Sequence, residues 1–217
     1  MTSTCGPTDG VPDVPSSPGT GDFWKLTSSS VDALAIGRTN VATYENAIFY
    51  SLRKNANQSL LYWARTSGNA AYSDTDPPYS LKGQITGTGI TGLTTGLQFR
   101  NENAGTLYGV SSGGQFYTVN LNSGAATLVA DFATALAAVP GTTGFQGLAT
   151  GPMNLEGGKY AGTFFAITNS GRLVCIELQG TSARLMPNVF DTNGDGVPDS
   201  DISNVTAAGA TGLAFSP

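Results

Sequence analysis

TLYGVSSGGQFYTVNL, residues 106–121, recurs 57 residues later as TFFAITNSGRLVCIEL, residues 163–178. Aromatic aligns with aromatic at Tyr108 and Phe165, and small with small at Gly109 and Ala166. Branched residues align at Val110 with Ile167 and at Val119 with Ile176. A turn glycine stays in register, Gly114 with Gly171, and so does a final leucine, Leu121 with Leu178. Two short runs of alternating, branched and aromatic residues around a polar Gly-containing turn specify a β-hairpin. The chain is therefore organised around a repeated hairpin.

A short phrase precedes each hairpin. TGLTTG begins at Thr91, QGLATG at Gln146 and TGLAFS at Thr211, with DALAIG at Asp32 a weaker match. Their leucines, Leu34, Leu93, Leu148 and Leu213, are spaced 59, 55 and 65 residues apart. An apolar strand follows each clear hairpin, ATLVADF at residues 126–132 and ARLMPNVF at residues 183–190. AIFYSL (residues 47–52) and SLLYWAR (residues 59–65), separated by RKNANQ, read as a divergent first hairpin. Each unit thus reads as four antiparallel strands, and four strands repeated every 40–60 residues or so is the signature of a β-propeller. The expected fold is all-β: antiparallel four-stranded units arranged as a β-propeller, either a small ring or a partial arc, with long inter-blade loops. The units run over about 32–90, 91–145 and 146–210, with the start of another at 211. Residues 67–90 read as irregular, because Asp76-Pro77-Pro78 disfavours regular structure. DFATALAAV, residues 131–139, is the helical candidate, with Asp131 as N-cap and Pro140-Gly141 as the stop.

Residues 1–22 contain four Pro and four Gly with no apolar run, which reads as a flexible N-terminal segment ahead of a propeller-like domain at 23–217. FWKLT, residues 23–27, is a strand candidate beside which the final GLAFSP could pair back. The alternative expectation is that the chain stops in mid-unit.

The blade-like text GLQF…TLYGVSSGGQFYTVNLNSGAATLV resembles blades of secreted bacterial β-propeller repeat proteins over roughly residues 90–190. That resemblance implies an extracytoplasmic propeller of the surface, adhesive or structural kind, and it brings no catalytic residues with it.

Composition narrows the partners. Charged residues are 12% of the 217, net charge is −5 and the pI is near 4.5. Ten scattered basic residues offer no patch for a phosphate backbone, so nucleic acid is not an expected partner. No apolar run approaches the roughly 20 residues needed to span a bilayer, so no membrane insertion is expected. Low charge with abundant Gly, Ser and Thr favours an exported or cell-surface location. The first ten residues lack a charged and an apolar signal region, so a mature chain or an excised fragment is expected. Cys5 and Cys175 form no disulfide framework, and whether they pair is open at this level.

The chemistry-bearing stretch is DTNGDGVPDSDI, residues 191–202. Against the pattern D-x-[DN]-x-[DN]-G, Asp191, Asn193, Asp195 and Gly196 match. Calcium takes six to eight oxygens at alternating loop positions, so the Val197 carbonyl and Asp199 supply the seventh and ninth. Ile202 stands where a bidentate acid normally closes the loop, and Asp201 is its substitute. Four carboxylates within eleven residues repel one another unless a cation neutralises them. The string resembles the calcium loops of dockerins and thrombospondin type 3 repeats, which implies a structural Ca2+ site made by Asp191, Asn193, Asp195, Val197, Asp199 and Asp201. It would staple an inter-unit connection, as residues 131–145 connect the previous pair.

Two other motifs fail on context. GTGITG (Gly87, Gly89, Gly92) lacks the following helix that a dinucleotide site needs. GVSSG would make Ser111 a nucleophile, yet the chain contains no His to serve as its base. No catalytic residues are therefore assigned. The expected function is a non-enzymatic, calcium-stabilised structural or adhesion module that contacts other protein modules or subunits. The alternative is a carbohydrate-binding module using Trp24, Tyr62, Trp63, Tyr72 and Tyr79, and a minor one is a carboxylate-based hydrolase. Asn57-Gln58-Ser59 and Asn204-Val205-Thr206 are N-glycosylation sequons.

Overall fold

In a computed structural model, the structure describes residues 31–36, 47–65, 79–100, 105–186 and Leu213. Their framework is three four-stranded antiparallel sheets, each a simple meander. The first contains β1 (Val31–Ile36), β2 (Ala47–Asn55), β3 (Gln58–Arg65) and β4 (Tyr79–Ile85). The second contains β5 (Thr94–Phe99), β6 (Leu107–Ser111), β7 (Gln115–Val119) and β8 (Ala126–Asp131). The third contains β9 (Phe145–Thr150), β10 (Thr163–Thr168), β11 (Leu173–Gln179) and β12 (Ser182–Leu185). Consecutive sheets pack face to face, with the first strands β1, β5 and β9 side by side. This is the arrangement of consecutive β-propeller blades, as the repeat implies.

The doubled hairpin forms where the sequence places it. β6 and β7 pair from Leu107↔Val119 to Val110↔Phe116, and β10 and β11 from Thr163↔Glu177 to Ile167↔Leu173. Gly114 and Gly171 both have positive φ, at 91° and 79°, which is why glycine holds that turn in each copy. In the first sheet the hairpin is tighter than the six-residue connection expected: β2 runs to Asn55, and only Ala56 and Asn57 turn the chain.

Because a blade is covered on both sides, its strands carry apolar residues on both faces. One core lies between blades 1 and 2, where Phe49 and Leu61 meet Leu97, Phe99 and Tyr117. A second lies between blades 2 and 3, where Val110 and Phe116 meet Leu148, Phe164 and Ile176. Phe116 and Phe164 stand with ring centroids 5.4 Å apart across that boundary. A third, on the far side of blade 3, gathers Tyr160, Phe165 and Cys175, with Met186 and Leu213 packed against them.

Two local expectations need correction. Residues 67–90 are not irregular throughout, since β4 forms directly after Pro78. YSLKGQI is a weak strand on its own, but the free edge of β3 supplies a ladder, with Leu61↔Gly83 and Tyr62↔Leu81 in register. The expected two-turn helix is only Ala133–Ala137 (α1), and Asp131 is not its N-cap. Asp131 ends β8 opposite Gln115, so its backbone is committed to the ladder, while its Oδ1 still accepts the N–H of Ala133, the first residue of α1, at 3.0 Å. The N-cap position belongs to Phe132, whose N–H donates to the Gly114 carbonyl at 2.9 Å.

Candidate functional site

The three first strands line a groove along the common axis, with a volume of about 250 Å³. Val31, Asp32 and Leu34 of β1, Thr95 and Leu97 of β5, and Leu148 of β9 form its walls, and Leu213 also reaches it. Tight approach of blades 2 and 3 requires Gly96. A Cβ there would stand 2.7 Å from the Leu148 nitrogen and 2.8 Å from Val110 Cγ2.

Most polar groups around the axis are committed to the frame. Thr95 Oγ1 donates to the Phe145 carbonyl at 2.7 Å, tying blade 2 to blade 3. Ser51 Oγ donates to the Thr94 carbonyl at 3.2 Å, and Thr94 N–H donates to Ser59 Oγ at 3.0 Å, tying blade 1 to blade 2. Asp32 is paired with Arg53 at 2.7 and 3.2 Å. The hydrogen bond and charge of Asp32 raise the Arg53 guanidinium above its ordinary range.

At the hairpin end of blade 2, Gln115 is the centre of a second network. Ser111 Oγ donates to Gln115 Oε1 at 2.7 Å, and Thr91 N–H donates to the same oxygen at 3.2 Å. The Gln115 amide donates to the Gly113 carbonyl at 2.8 Å and to Asp131 Oδ1 at 3.3 Å. Ser111, the serine of the GVSSG string, is buried and also accepts the Gly113 and Gln115 N–H groups. It closes a turn. The GTGITG string connects β4 to β5, so a strand and not a helix follows it.

The chain has no matching family model and no matching curated protein. Solved structures do resemble it. Sqt1 from Saccharomyces cerevisiae matches with a TM-score of 0.42 and 16% identity, over 73% of this chain and 34% of that one. Sqt1 from Chaetomium thermophilum matches with a TM-score of 0.42 and 13% identity, over 72% of this chain and 35% of that one. The chain thus spans about a third of the length of these structures.

The six expected calcium ligands, Asp191, Asn193, Asp195, Val197, Asp199 and Asp201, lie outside the described residues, as do Trp24, Tyr72 and Cys5. Among the described residues, no group of three or more His, Cys, Asp and Glu could hold a metal ion. No helix there is long and apolar enough to cross a membrane. Of the aromatics considered for sugar stacking, Trp63 is partly buried against the first core, with Lys82 Nζ 4.8 Å from its ring centroid. Tyr62 stacks on Tyr50 at 5.6 Å and 13°. Asn57 is exposed at the β2–β3 turn, whereas Ser59 of the same sequon is buried. Cys175 is unpaired and buried, its Sγ 3.6 Å from Met186 Sδ.

What the sequence missed is the Gln115 centre. Its signal was present but ambiguous: a polar residue opening a strand directly after the turn glycine reads as solvent-facing.

Proposed function

We propose that the chain is a non-enzymatic structural module of an exported or cell-surface protein, serving adhesion or assembly through contacts with other protein modules or subunits. The observation that carries this reading is the commitment, among the described residues, of chemistry-capable side chains to holding blades and turns. Ser111, Gln115, Asp131, Thr94 and Thr95 bond to one another or to neighbouring backbone. Asp32 and Glu177 are paired with Arg53 and Arg184. A protein of this design presents edges and loops from a fixed frame.

Calcium at residues 191–201 is part of the same proposal and rests on the residue pattern. A structural cation would brace a connection that has no apolar run of its own.

A glycan array on the purified chain is the discriminating experiment. The structural reading expects no saturable sugar binding. Saturable binding lost on substitution of Tyr62 would replace it with the carbohydrate-binding reading.

A further inference from the structure

The Asn57-Gln58-Ser59 sequon lies where blade 1 turns its chain. Only Ala56 and Asn57 separate β2 from β3, and residues 53–57 are exposed. The side-chain bonds of this turn leave the Asn57 amide group out. Asn57 N–H donates to Asn55 Oδ1 at 3.0 Å, and Asn55 Nδ2 donates to Gln58 Oε1 at 2.7 Å. Among the described residues, an oligosaccharide on Asn57 Nδ2 would project from the hairpin tip without breaking a bond.

Two residues later the environment reverses. Ser59 is 2% exposed. Its backbone lies in the ladder between Arg53 of β2 and Ile85 of β4. Its Oγ accepts the Thr94 N–H of blade 2 at 3.0 Å. N-linked transfer requires that hydroxyl, because the transferase recognises the Ser or Thr two residues after the asparagine. The folded chain thus presents the acceptor nitrogen and withholds the recognition hydroxyl.

Synthesis separates the two in time. Thr94 follows Ser59 by 35 residues. At the usual rate of chain growth, Ser59 precedes its partner by about 2–7 s. Over that interval nothing in blade 2 occupies the hydroxyl.

We infer that Asn57 is an N-glycan acceptor open only until blade 2 docks, because Ser59 serves first as recognition hydroxyl and then as the anchor of Thr94 N–H. In the transfer, Asn57 Nδ2 bonds to the anomeric carbon of a lipid-linked oligosaccharide. The bond from that carbon to the lipid diphosphate breaks, the diphosphate leaves with the electron pair, and Nδ2 gives one proton to a base of the transferase. The inference rests on the exported reading above, since this transfer takes place on exported chains.

The test begins with translation of the full chain, behind a cleavable signal peptide, into microsomes that carry oligosaccharyltransferase. Asn204→Gln silences the second sequon. One glycan is expected, removed by peptide N-glycosidase and absent from the Asn57→Gln chain. The same chain made without microsomes, folded and purified, is then offered to solubilised transferase and lipid-linked oligosaccharide, beside a peptide of residues 55–65. The peptide should be modified, and the folded chain at least roughly tenfold more slowly, because exposing Ser59 requires opening the boundary of blades 1 and 2. Equal rates would overturn the timing. Asn57 left bare after translation into microsomes, or a peptide that stays bare, would overturn the acceptor. The added signal peptide delivers the chain whatever its own route. Bare Asn57 in the chain from its natural source, beside a modified microsomal chain, would therefore count against the exported reading alone.

Discussion

The Tyr117 hydroxyl donates to Thr94 Oγ1 at 2.8 Å, and through Thr94 it ties the third strand of blade 2 to blade 1. The Thr94 backbone is held by Ser59 Oγ on its N–H and by Ser51 Oγ on its carbonyl. All four residues are buried. The boundary between blades 1 and 2 is thus fixed by a polar chain inside an apolar core, where each unmade bond is costly.

Tyr117→Phe keeps the ring and removes one donor, leaving Thr94 Oγ1 buried with a bond unmade. The expected loss is about 1–2 kcal/mol. In a chain of this size that corresponds to a melting temperature lower by about 2–8 °C, measured by calorimetry. No shift would show that the hydroxyl contributes nothing at this boundary.

Gly96→Ala should cost more than Gly141→Ala. At Gly96 the new methyl meets the Leu148 backbone and Val110, so blade 3 has to move away from blade 2, typically at about 1–3 kcal/mol or more. Gly141 has φ of 79° and nothing within 4 Å of an added Cβ, so only backbone strain of about 1–2 kcal/mol applies. Urea unfolding of both variants gives the order.

Ser111→Ala and Gln115→Ala should be non-additive. Ser111 donates to Gln115 Oε1 and accepts from the Gln115 N–H, so either substitution already breaks the shared bond. A coupling energy of about 0.5–3 kcal/mol is expected from the cycle. Additive losses would mean that the two side chains act separately.

Stability should fall as pH rises above the ordinary thiol range. Burial pushes Cys175 from 9.0 up to about 11, with Thr163 partly opposing and Glu177 adding to the rise. The folded chain therefore holds this proton more tightly than the unfolded chain. The contribution is fully present below pH 9.0 and is lost as pH rises toward about 11. Two pKa units correspond to about 2–3 kcal/mol as an upper figure. Burial also raises Tyr117, which extends the decline to still higher pH. Cys175→Ala should flatten the first part of this limb in urea titrations between pH 8 and 11.

Calcium should raise the melting temperature and EDTA should reverse the rise. At one hundred times its dissociation constant, a single site adds about 2.7 kcal/mol. The Asp195→Ala chain should melt at the same temperature with and without calcium. An EDTA-insensitive native chain would remove calcium from the proposal.

Periodicity in the sequence determined the unit of construction. The match of residues 106–121 with 163–178 specifies two hairpins, because side-chain alternation and a glycine with positive φ are properties of a few adjacent residues. The leucine phrases similarly mark the first strand of each sheet, as β1, β5 and β9 show. Tertiary structure decided what depends on a partner strand or blade. Tyr79–Ile85, with Lys82, Gly83 and Gln84 at its centre, becomes a strand because β3 offers it a ladder. Asp131 ends a strand opposite Gln115, so the N-cap position passes to Phe132 although the Asp131 carboxylate still accepts the Ala133 N–H. Which of two apolar faces looks toward which blade is invisible in a strand apolar on both sides, since alternation separates the faces without naming them. Only packing assigns Leu97 to blade 1, Val110 to blade 3, and Leu34 to the open axis.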